Sequence, residues 1–216
     1  MRPIPDIRGL RFPDEFLVRH FFRRGLHQRA GRVVGLGCGS GCNLALYQAF
    51  GWSVAGADID AQAIEDARWN LGEDAHLVRA DLSSVSPREL AGPWDALLAP
   101  SSLYYLGTES AERLLRDFAP RLAPGCEVYV RIRRKDDYRC GRGERVAPDT
   151  WRLATPETGE AGLINRFYDE AEAVALLRAT LDLQDIVVLG LSFDNVQSGV
   201  LISPNSDLIL TGTTPS

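Results

Sequence analysis

The residues with the clearest chemical meaning are three glycines at alternate positions, Gly37, Gly39 and Gly41, in the string VVGLGCGSG. A short apolar, β-branched run precedes them and a segment of helical period follows. Glycine at such a strand-to-helix turn can adopt positive φ and lets the backbone approach a ligand closely. The spacing therefore predicts a ligand-binding loop, and a tight turn that binds nothing is the alternative.

The spacing of these glycines also bears on the class of ligand. Dinucleotide enzymes use the pattern G-x-G-x-x-G, which seats a pyrophosphate at the N-terminus of a helix. That pattern would require glycine at Ser40 if it began at Gly35, or at Cys42 if it began at Gly37. The loop therefore favours a ligand without a pyrophosphate, and a nicotinamide-dependent oxidoreductase is kept as an alternative.

The elements that must position this loop alternate between short apolar runs and helical periods, which predicts an α/β fold. We expect one domain with a doubly wound, mostly parallel seven-stranded sheet, helices on both faces and an N-terminal helical cap. The expected strands are 32–36, 53–58, 75–80, 95–99, 127–133 and 184–191, with 200–203 or 207–210 as the seventh. The first expected helix begins near Pro13, and four more are expected at residues 44–49, 61–71, 109–122 and 169–180.

The chain divides into a cap segment, residues 1–31, and a ligand-binding domain, residues 32–216. Within that domain, residues 134–168 interrupt the alternation, since they are charged, rich in glycine and without a clean period. A structureless insert of this length in a compact domain is uncommon and is often a lid or a binding loop. We therefore expect this insert to cover a bound substrate.

Composition limits the partners. The 216 residues include 24 basic and 29 acidic side chains, a net charge of −5, whereas a surface that binds phosphates normally leans basic. Arg131, Arg133, Arg134 and Lys135 form a local basic cluster, interpreted as a strand end entering a solvated loop, an anionic-substrate site or a nucleic-acid contact. No apolar run approaches the ~20 residues of a membrane span, and the N-terminus lacks a signal-peptide pattern. We expect a cytoplasmic protein that binds neither membrane nor nucleic acid.

Four strings in sequence order resemble the class I S-adenosyl-L-methionine (AdoMet)-dependent methyltransferase family, over roughly residues 32–133. They are GLGCGSG, SVAGADIDAQAIEDARWN, HLVRADL and WDALLAPSSLYYL, and LAPGCEVYV is similar to the family's turn into strand five. The resemblance implies AdoMet as cofactor and S-adenosyl-L-homocysteine as product. It implies contacts with the cofactor for Gly37, Cys38, Gly39, Gly41, Asp58, Ile59, Asp81, Leu82 and Pro100.

Within that set the resemblance implies separate roles. The glycine loop lies under the amino-acid half of AdoMet, and the Asp58 carboxylate accepts from both ribose hydroxyls, as a carboxylate can. Ile59 lies against the adenine ring, Asp81 accepts from the adenine amino group, and Leu82 offers its backbone N–H. One position departs from the family: Gly35 stands where an acidic residue usually helps to hold the amino group of AdoMet.

Candidates for contact with the methyl acceptor follow the predicted strands. Tyr104 and Tyr105 come after strand four, at the ligand edge of the sheet, and His20 on the N-terminal helix is a candidate general base. For these three, ordinary packing is the alternative. Further candidates in the insert are Asp136, Asp137, Tyr138, Arg139, Thr158, Asn165 and Tyr168.

These observations predict methyl transfer to an oxygen or nitrogen atom of a small molecule, such as a sugar or a natural-product intermediate. The alternatives are a non-catalytic AdoMet-binding protein of the same fold and the oxidoreductase. No metal site is expected, because the spacing of Cys38, Cys42, Cys126 and Cys140 matches no zinc pattern. We expect a monomer or a homodimer.

Overall fold

Helices and strands alternate along the chain in the computed structural model, which describes residues 3–216. The α-helices are Glu15–Arg23 (α1), Cys42–Gln48 (α2), Ala61–Leu71 (α3), Thr108–Phe118 (α4) and Glu170–Leu181 (α5). The strands are Arg32–Leu36 (β1), Ser53–Asp58 (β2), His76–Arg79 (β3), Trp94–Pro100 (β4), Leu122–Arg133 (β5), Gly143–Ala147 (β6), Thr150–Leu153 (β7), Ile164–Arg166 (β8), Gln184–Gln197 (β9) and Val200–Thr213 (β10).

Within the described residues, the main sheet has seven strands in the order β3-β2-β1-β4-β5-β10-β9. The strands from β3 to β5 pair in parallel, and β10 is antiparallel to both β5 and β9. The predicted fold class is confirmed. Because the chain leaves β1 toward β2 on one side and reaches β4 on the other, a crevice opens at the carboxyl ends of these strands.

Helices cover both faces of the sheet, as predicted. Side chains of α4 and α5, such as Leu114 and Leu177, pack on one face, while α1, α2 and α3 pack on the other. On α1, Leu17 and Phe21 are fully buried among the core residues of that second face. The predicted cap helix therefore belongs to the helical layer of the domain. Residues 1 and 2 of the predicted cap segment lie outside the described residues.

Local sequence accounts for the ends of α3, which the sequence predicted closely. The Asp60 side chain accepts hydrogen bonds from the backbone N–H groups of Gln62 and Ala63, which caps the helix N-terminus. Gly72 ends the helix with φ of 84°. None of the helices between residues 3 and 216 has the length and apolar character of a membrane span.

The C-terminal third differs from the predicted boundaries. The two candidate final strands, 200–203 and 207–210, both lie in β10, whose register against β9 shifts between Ile202 and Asn205. The helix expected at 109–122 ends at Phe118, and β5 begins at Leu122, earlier than predicted. The irregular register of β10 and the early start of β5 both depend on pairing with strands that are distant in the sequence. Local sequence patterns do not reveal such pairing.

The insert is structured, contrary to the expectation of an irregular loop. Within the described chain, β6, β7 and β8 form a separate antiparallel sheet of three strands. A short 3₁₀ turn, Pro156–Thr158, separates β7 from β8. Residues 143–148 are exposed, so their side chains give no apolar alternation from which a strand could be predicted.

Candidate functional site

A cavity of about 430 Å³ opens at the carboxyl ends of the parallel strands, where the fold predicts a ligand site. Its walls come from the glycine loop, the ends of β2 and β3, the segment after β4, and the insert. The lining residues are Gly37, Asp58, Ile59, Ala80, Asp81, Leu82, Ser83, Ser101, Ser102, Leu103, Tyr105, Leu106, Leu163 and Ile164.

The glycine loop has the backbone conformation that its sequence requires. Gly37, Gly39 and Gly41 have φ of 70°, 53° and 83°, in the left-handed region that favours glycine. A Cβ on Gly37 would lie 2.4 Å from Ser102 Cβ, so this glycine allows the segment after β4 to pack against the loop. A Cβ on Gly39 would meet no described atom within 4 Å. Gly39 therefore borders open space, and a side chain there would compete with a ligand.

Asp58 ends β2 and is held in place by backbone donors. Its Oδ2 accepts from the Gly39 N–H at 2.8 Å, and its Oδ1 accepts from the Asp60 N–H at 3.0 Å. A carboxylate has about four acceptor sites, so both oxygens keep lone pairs for a ligand. The geometry fits the pair of hydroxyls on a ribose ring.

Cys38 has a packing role that also accounts for the glycine at position 35. The Cys38 side chain is buried, and a Cβ on Gly35 or Gly56 would lie 3.2 or 2.8 Å from Cys38 Cβ. Burial, with a contribution from the Asp58 charge, raises the pKa of the Cys38 thiol to about 12. The thiol is therefore protonated, and Cys38 occupies space over β1 that an acidic side chain would need.

Asp81 and Ile59 form the opposite wall of the cavity. Asp81 Oδ1 accepts from the Ser83 hydroxyl at 2.6 Å and from the Ser83 N–H at 2.9 Å. These hydrogen bonds lower the pKa of Asp81, which keeps the carboxyl group ionised as an acceptor. Leu82 is buried beside it, whereas the Ile59 side chain is 60% exposed. An exposed isoleucine at the mouth of a cavity provides an apolar surface for a flat ligand.

The segment after β4 contributes serines that sequence reasoning missed. Pro100 ends β4 and does not line the cavity, whereas Ser101 and Ser102 do. The Ser102 hydroxyl donates to the Leu36 carbonyl oxygen at 2.6 Å, which ties this segment to the end of β1. The signal in the sequence was a pair of small polar residues directly after a buried strand.

The two predicted tyrosines have different environments. Tyr104 is buried and lies beneath the Arg133 guanidinium, whose Cζ is 4.3 Å from the ring centroid. Tyr105 lines the cavity, and its hydroxyl donates to Glu160 Oε1 at 2.7 Å. Burial raises the pKa of Tyr105 well above its usual value, and the neighbouring Tyr104 and Glu160 add to this shift. The Tyr105 hydroxyl is therefore a donor and remains protonated.

Buried charges dock the insert against the sheet. Glu160 contacts Arg133 Nη1 at 2.7 Å and Arg139 Nε at 2.5 Å, and all three side chains are at most 9% exposed. Arg139 also pairs with Asp137, which is buried. This network brings the insert to the cavity, where its contact residues are Leu163 and Ile164.

The polar insert residues predicted to touch the acceptor lie elsewhere. Asp137 and Arg139 belong to the buried network, Asp136 pairs with Arg134, and the Tyr138 hydroxyl donates to Glu157. The Thr158 hydroxyl donates to the Thr155 carbonyl oxygen, and the Asn165 side chain accepts from Arg133. Tyr168 lines a second cavity. The structure brings none of these seven side chains to the first cavity, within the described residues.

His20 lies in a different part of the domain from this cavity. Its Nε2 atom is 3.6 Å from Glu127 Oε2, and Glu127 pairs with Ala96 near the start of β4. The ligand cavity lies at the other end of these strands. Burial lowers the pKa of His20, against an opposing effect of Glu127. The structure thus gives His20 no contact with the cavity that holds Tyr105.

The basic cluster has acidic partners in the folded chain. Arg131 pairs with Asp14 and Asp207, at 2.7 and 2.6 Å. Arg133 pairs with Glu160, and Arg134 pairs with Asp136. Lys135 lies near three acids, Asp149, Asp169 and Glu172. These ion pairs favour a structural role for the cluster at the end of β5 over a site for an anionic substrate or a nucleic acid. Among residues 3–216, no three His, Cys, Asp or Glu side chains are grouped closely enough to hold a metal ion.

Comparison with known proteins agrees with this geometry. Residues 34–128, which contain the glycine loop, Asp58 and Asp81, match a family model described as a methyltransferase domain. The predicted methyltransferase domain is thus confirmed over these residues. A methyltransferase domain indicates an enzyme of the transferase class. A search of curated protein sequences finds no match.

Solved structures share the fold of this methyltransferase over most of their length. An AdoMet-dependent methyltransferase from Methanosarcina mazei is 20% identical, with a TM-score of 0.68 over 90% of this chain and 98% of that one. A 1,6-didemethyltoxoflavin N1-methyltransferase from Burkholderia thailandensis, solved with S-adenosylhomocysteine bound, is 17% identical, with a TM-score of 0.62 over 93% and 76%. The N-methyltransferase NodS from Bradyrhizobium japonicum is 15% identical, with a TM-score of 0.60 over 94% and 99%.

Proposed function

We propose that the cavity between the glycine loop and Asp81 is the AdoMet site, and that the enzyme methylates an oxygen or nitrogen atom of a small molecule. The observation that carries the proposal is the Asp58 carboxylate, fixed by the Gly39 and Asp60 N–H groups at the cavity wall. In this assignment Asp58 accepts from the ribose hydroxyls, and Ile59 packs against the adenine. Gly37, Cys38, Gly39 and Gly41 provide the backbone under the methionine part, with Cys38 contributing through its main chain.

The adenine edge is assigned to Asp81 and Leu82. Both hydrogen bonds from Ser83 fall on Asp81 Oδ1, so Oδ2 is assigned as the acceptor for an amino group. The Leu82 N–H is assigned as the complementary donor. Pro100 is given a minor part, because it does not line the cavity, whereas Ser101 and Ser102 do.

The acceptor side is assigned to the segment after β4 and to the insert, residues 134–168. Tyr105, Leu163 and Ile164 line the cavity there, and the Tyr105–Glu160 hydrogen bond holds the insert against that segment. These side chains exclude water from the site and hold the acceptor in position. Methyl transfer from AdoMet requires mainly these two contributions from the protein. The acceptor is proposed to be a small molecule, such as a natural-product intermediate or a sugar.

AdoMet, when bound, supplies a methyl group on a sulfonium that leaves readily. Among the described residues that line the cavity, there is no histidine, and the Tyr105 hydroxyl donates to Glu160. An amine acceptor, which can lose its proton to solvent after the transfer, needs no base there. These features support an amine, or a hydroxyl that is already acidic, ahead of an ordinary alcohol. Tyr105 then contacts the acceptor and does not act as a base.

Two measurements test this proposal. Isothermal titration calorimetry should show binding of AdoMet and S-adenosylhomocysteine to the full chain and none of NAD. A panel of small amines, phenols and sugars with methyl-labelled AdoMet should then show transfer to at least one class. Binding without transfer to any of them would favour the non-catalytic alternative that the glycine at position 35 keeps open. The cytoplasmic location and the choice between monomer and homodimer stay predictions.

A further inference from the structure

A second cavity, of about 290 Å³, lies between α4, α5 and the end of β8. Its residues are separate from those that line the proposed AdoMet site. One end is polar and includes Thr108, Arg166 and Tyr168. The other end is formed by Ala175, Leu176 and Ala179 on α5, with Thr180, whose hydroxyl donates to the Leu176 carbonyl oxygen. A cavity that is polar at one end and apolar at the other has the character of a small-molecule site.

Arg166 enters this cavity with part of its hydrogen-bonding capacity unused. Its Nη1 donates to the Thr108 hydroxyl, and its Nη2 is 4.0 Å from Glu172 Oε1, beyond hydrogen-bond distance. The Nε–H is buried and has no partner among residues 3–216. A buried donor without an acceptor is costly, so the side chain is suited to an acceptor that is not part of the protein.

Tyr168 presents a second unused donor at the same place. The residue is 2% exposed, and its buried hydroxyl donates to no acceptor in the described part of the chain, with the Arg166 guanidinium beside it. The Arg166 Cζ lies 4.7 Å from the centroid of the Tyr168 ring, so the two groups are stacked. Burial raises the pKa of Tyr168 to about 12, against the opposing effect of the Arg166 charge. The hydroxyl is therefore protonated at neutral pH and can donate.

Among the cations around this cavity, Arg166 has the longest distance to an acidic partner, 4.0 Å to Glu172. Two glutamates also line it, but each has a cation that is closer than Arg166. Glu172 is 2.8 Å from Lys135 Nζ, and Glu112 is 2.9 Å from Arg116 Nη2. The guanidinium at the polar end is thus available for an anion, and a planar carboxylate matches its fork of donors.

The apolar end limits the rest of the ligand, beyond its anionic group. Ala175 and Ala179 are one helical turn apart and lie on the same face of α5, beside Leu176. Their small side chains leave room that a short hydrocarbon chain can fill, and water gains few hydrogen bonds there. A ligand with a second charged group at this end would lose its hydration without compensation.

We propose that this cavity binds a small carboxylic acid with a short apolar tail. The carboxylate accepts from Arg166 and from the Tyr168 hydroxyl, and the tail lies along Ala175 and Ala179. The site is independent of methyl transfer, so the enzyme binds a ligand in addition to its cofactor and acceptor.

Isothermal titration calorimetry of the full chain with hexanoate tests the site, with hexanamide and hexylamine as uncharged and cationic probes of the same length. Hexanoate should bind, hexanamide should bind at least about tenfold more weakly, and hexylamine should not bind. Tyr168→Phe should weaken hexanoate about tenfold, because it removes one donor. The same variant should melt no lower than the wild type, since it removes a buried hydroxyl that has no partner.

A second variant examines the apolar end, and a third is the control. Ala179→Leu should block the tail and abolish hexanoate binding, whereas Tyr138→Phe, on the insert and outside this cavity, should bind hexanoate like the wild type. Equal affinity for hexanoate and hexanamide would overturn the carboxylate assignment. Unchanged hexanoate affinity in Tyr168→Phe, or no binding by the wild type, would overturn the site. If Ala179→Leu fails to fold, Tyr168→Phe alone still decides the matter. AdoMet affinity, measured in parallel, addresses only the methyltransferase site.

Discussion

The two sides of the proposed AdoMet cavity are built by different interactions. On one side, main-chain N–H groups of the glycine loop join it to the end of β2, as where the Gly39 N–H donates to the Asp58 carboxylate. On the other side, the insert is attached by buried charged side chains, with Glu160 between Arg133 and Arg139. The first side depends on backbone conformation and the second on the pairing of charges.

This difference implies that binding and stability can be disturbed separately. A change in the loop alters the surface presented to a ligand while the sheet behind it keeps its hydrophobic packing. A change in the charged network leaves ions buried without partners and costs folding free energy, even when no ligand is present. The loop side should therefore respond in affinity, and the insert side in stability.

The largest expected effect is on the loop side. Gly39→Val should weaken AdoMet binding about a thousandfold or more, because valine disfavours φ of 53° and its side chain would fill the open space in front of the loop. Gly51→Val is the matched control, with φ of 82° and no described atom within 4 Å of the added Cβ. Calorimetry should show normal affinity for the control. Equal affinity in the two variants would mean that the loop is only a turn.

The next effect is on the insert side and appears in stability. Glu160→Gln should lower the free energy of unfolding by about 3 kcal/mol, because Arg133 would be left buried without an anion and Arg139 would keep only Asp137. Glu157→Gln, at the surface of the same insert, should leave the denaturation midpoint unchanged. Urea denaturation of both variants measures this difference. A small effect of Glu160→Gln would show that the network does not hold the insert.

The same residue gives a pH dependence whose sign follows from its pKa. Burial alone would raise the pKa of Glu160, but Arg133, Tyr105 and Arg139 outweigh it and hold the pKa below its usual 4.5. The stabilisation by the ionised form is therefore complete above about pH 4.5 and is lost as the pH falls through the lower folded pKa. Glu160→Gln should flatten this part of the stability profile. An unchanged acid limb in the variant would assign it to other carboxylates.

A smaller loss of affinity is expected at the end of β2. Asp58→Ala should weaken AdoMet binding about a hundredfold, or 2–3 kcal/mol, since the carboxylate is assigned to two ribose hydroxyls. The matched control is Asp60→Ala, which removes the cap of α3 and should cost about 1 kcal/mol of stability while keeping affinity. Normal AdoMet binding by a folded Asp58→Ala protein would remove this residue from the site.

The same contrast explains what the sequence could predict. Gly37 and Gly39 come just after β1, and Asp58 ends β2, so their position at one edge of the sheet follows from strand order and local turn chemistry. Leu163 and Ile164 reach the cavity because Glu160 pairs with Arg133, 27 positions earlier in the chain, and no local pattern predicts such a pairing.

His20 illustrates a further limit of sequence reasoning. The helix that carries it was predicted. Which end of the strands the histidine reaches depends on the way α1 packs against the sheet, through Leu17 and Phe21. That packing is a property of the whole core, so a helix can be predicted correctly while one of its side chains is assigned to the wrong neighbourhood.

The smallest expected effect concerns Ile59, whose side chain is 60% exposed. A large apolar side chain at the cavity mouth gains stabilisation only when a ligand covers it, so Ile59→Ala should change affinity but not stability. Burial of part of this side chain under the adenine is worth about 1 kcal/mol, and AdoMet should bind about fivefold more weakly. Val187→Ala provides the control, because Val187 is 62% exposed on β9 and outside the cavity. Calorimetry should separate the two variants, while their melting temperatures should match the wild type. If both bind AdoMet equally well, the adenine does not lie on Ile59, and Asp81 would no longer be its expected partner.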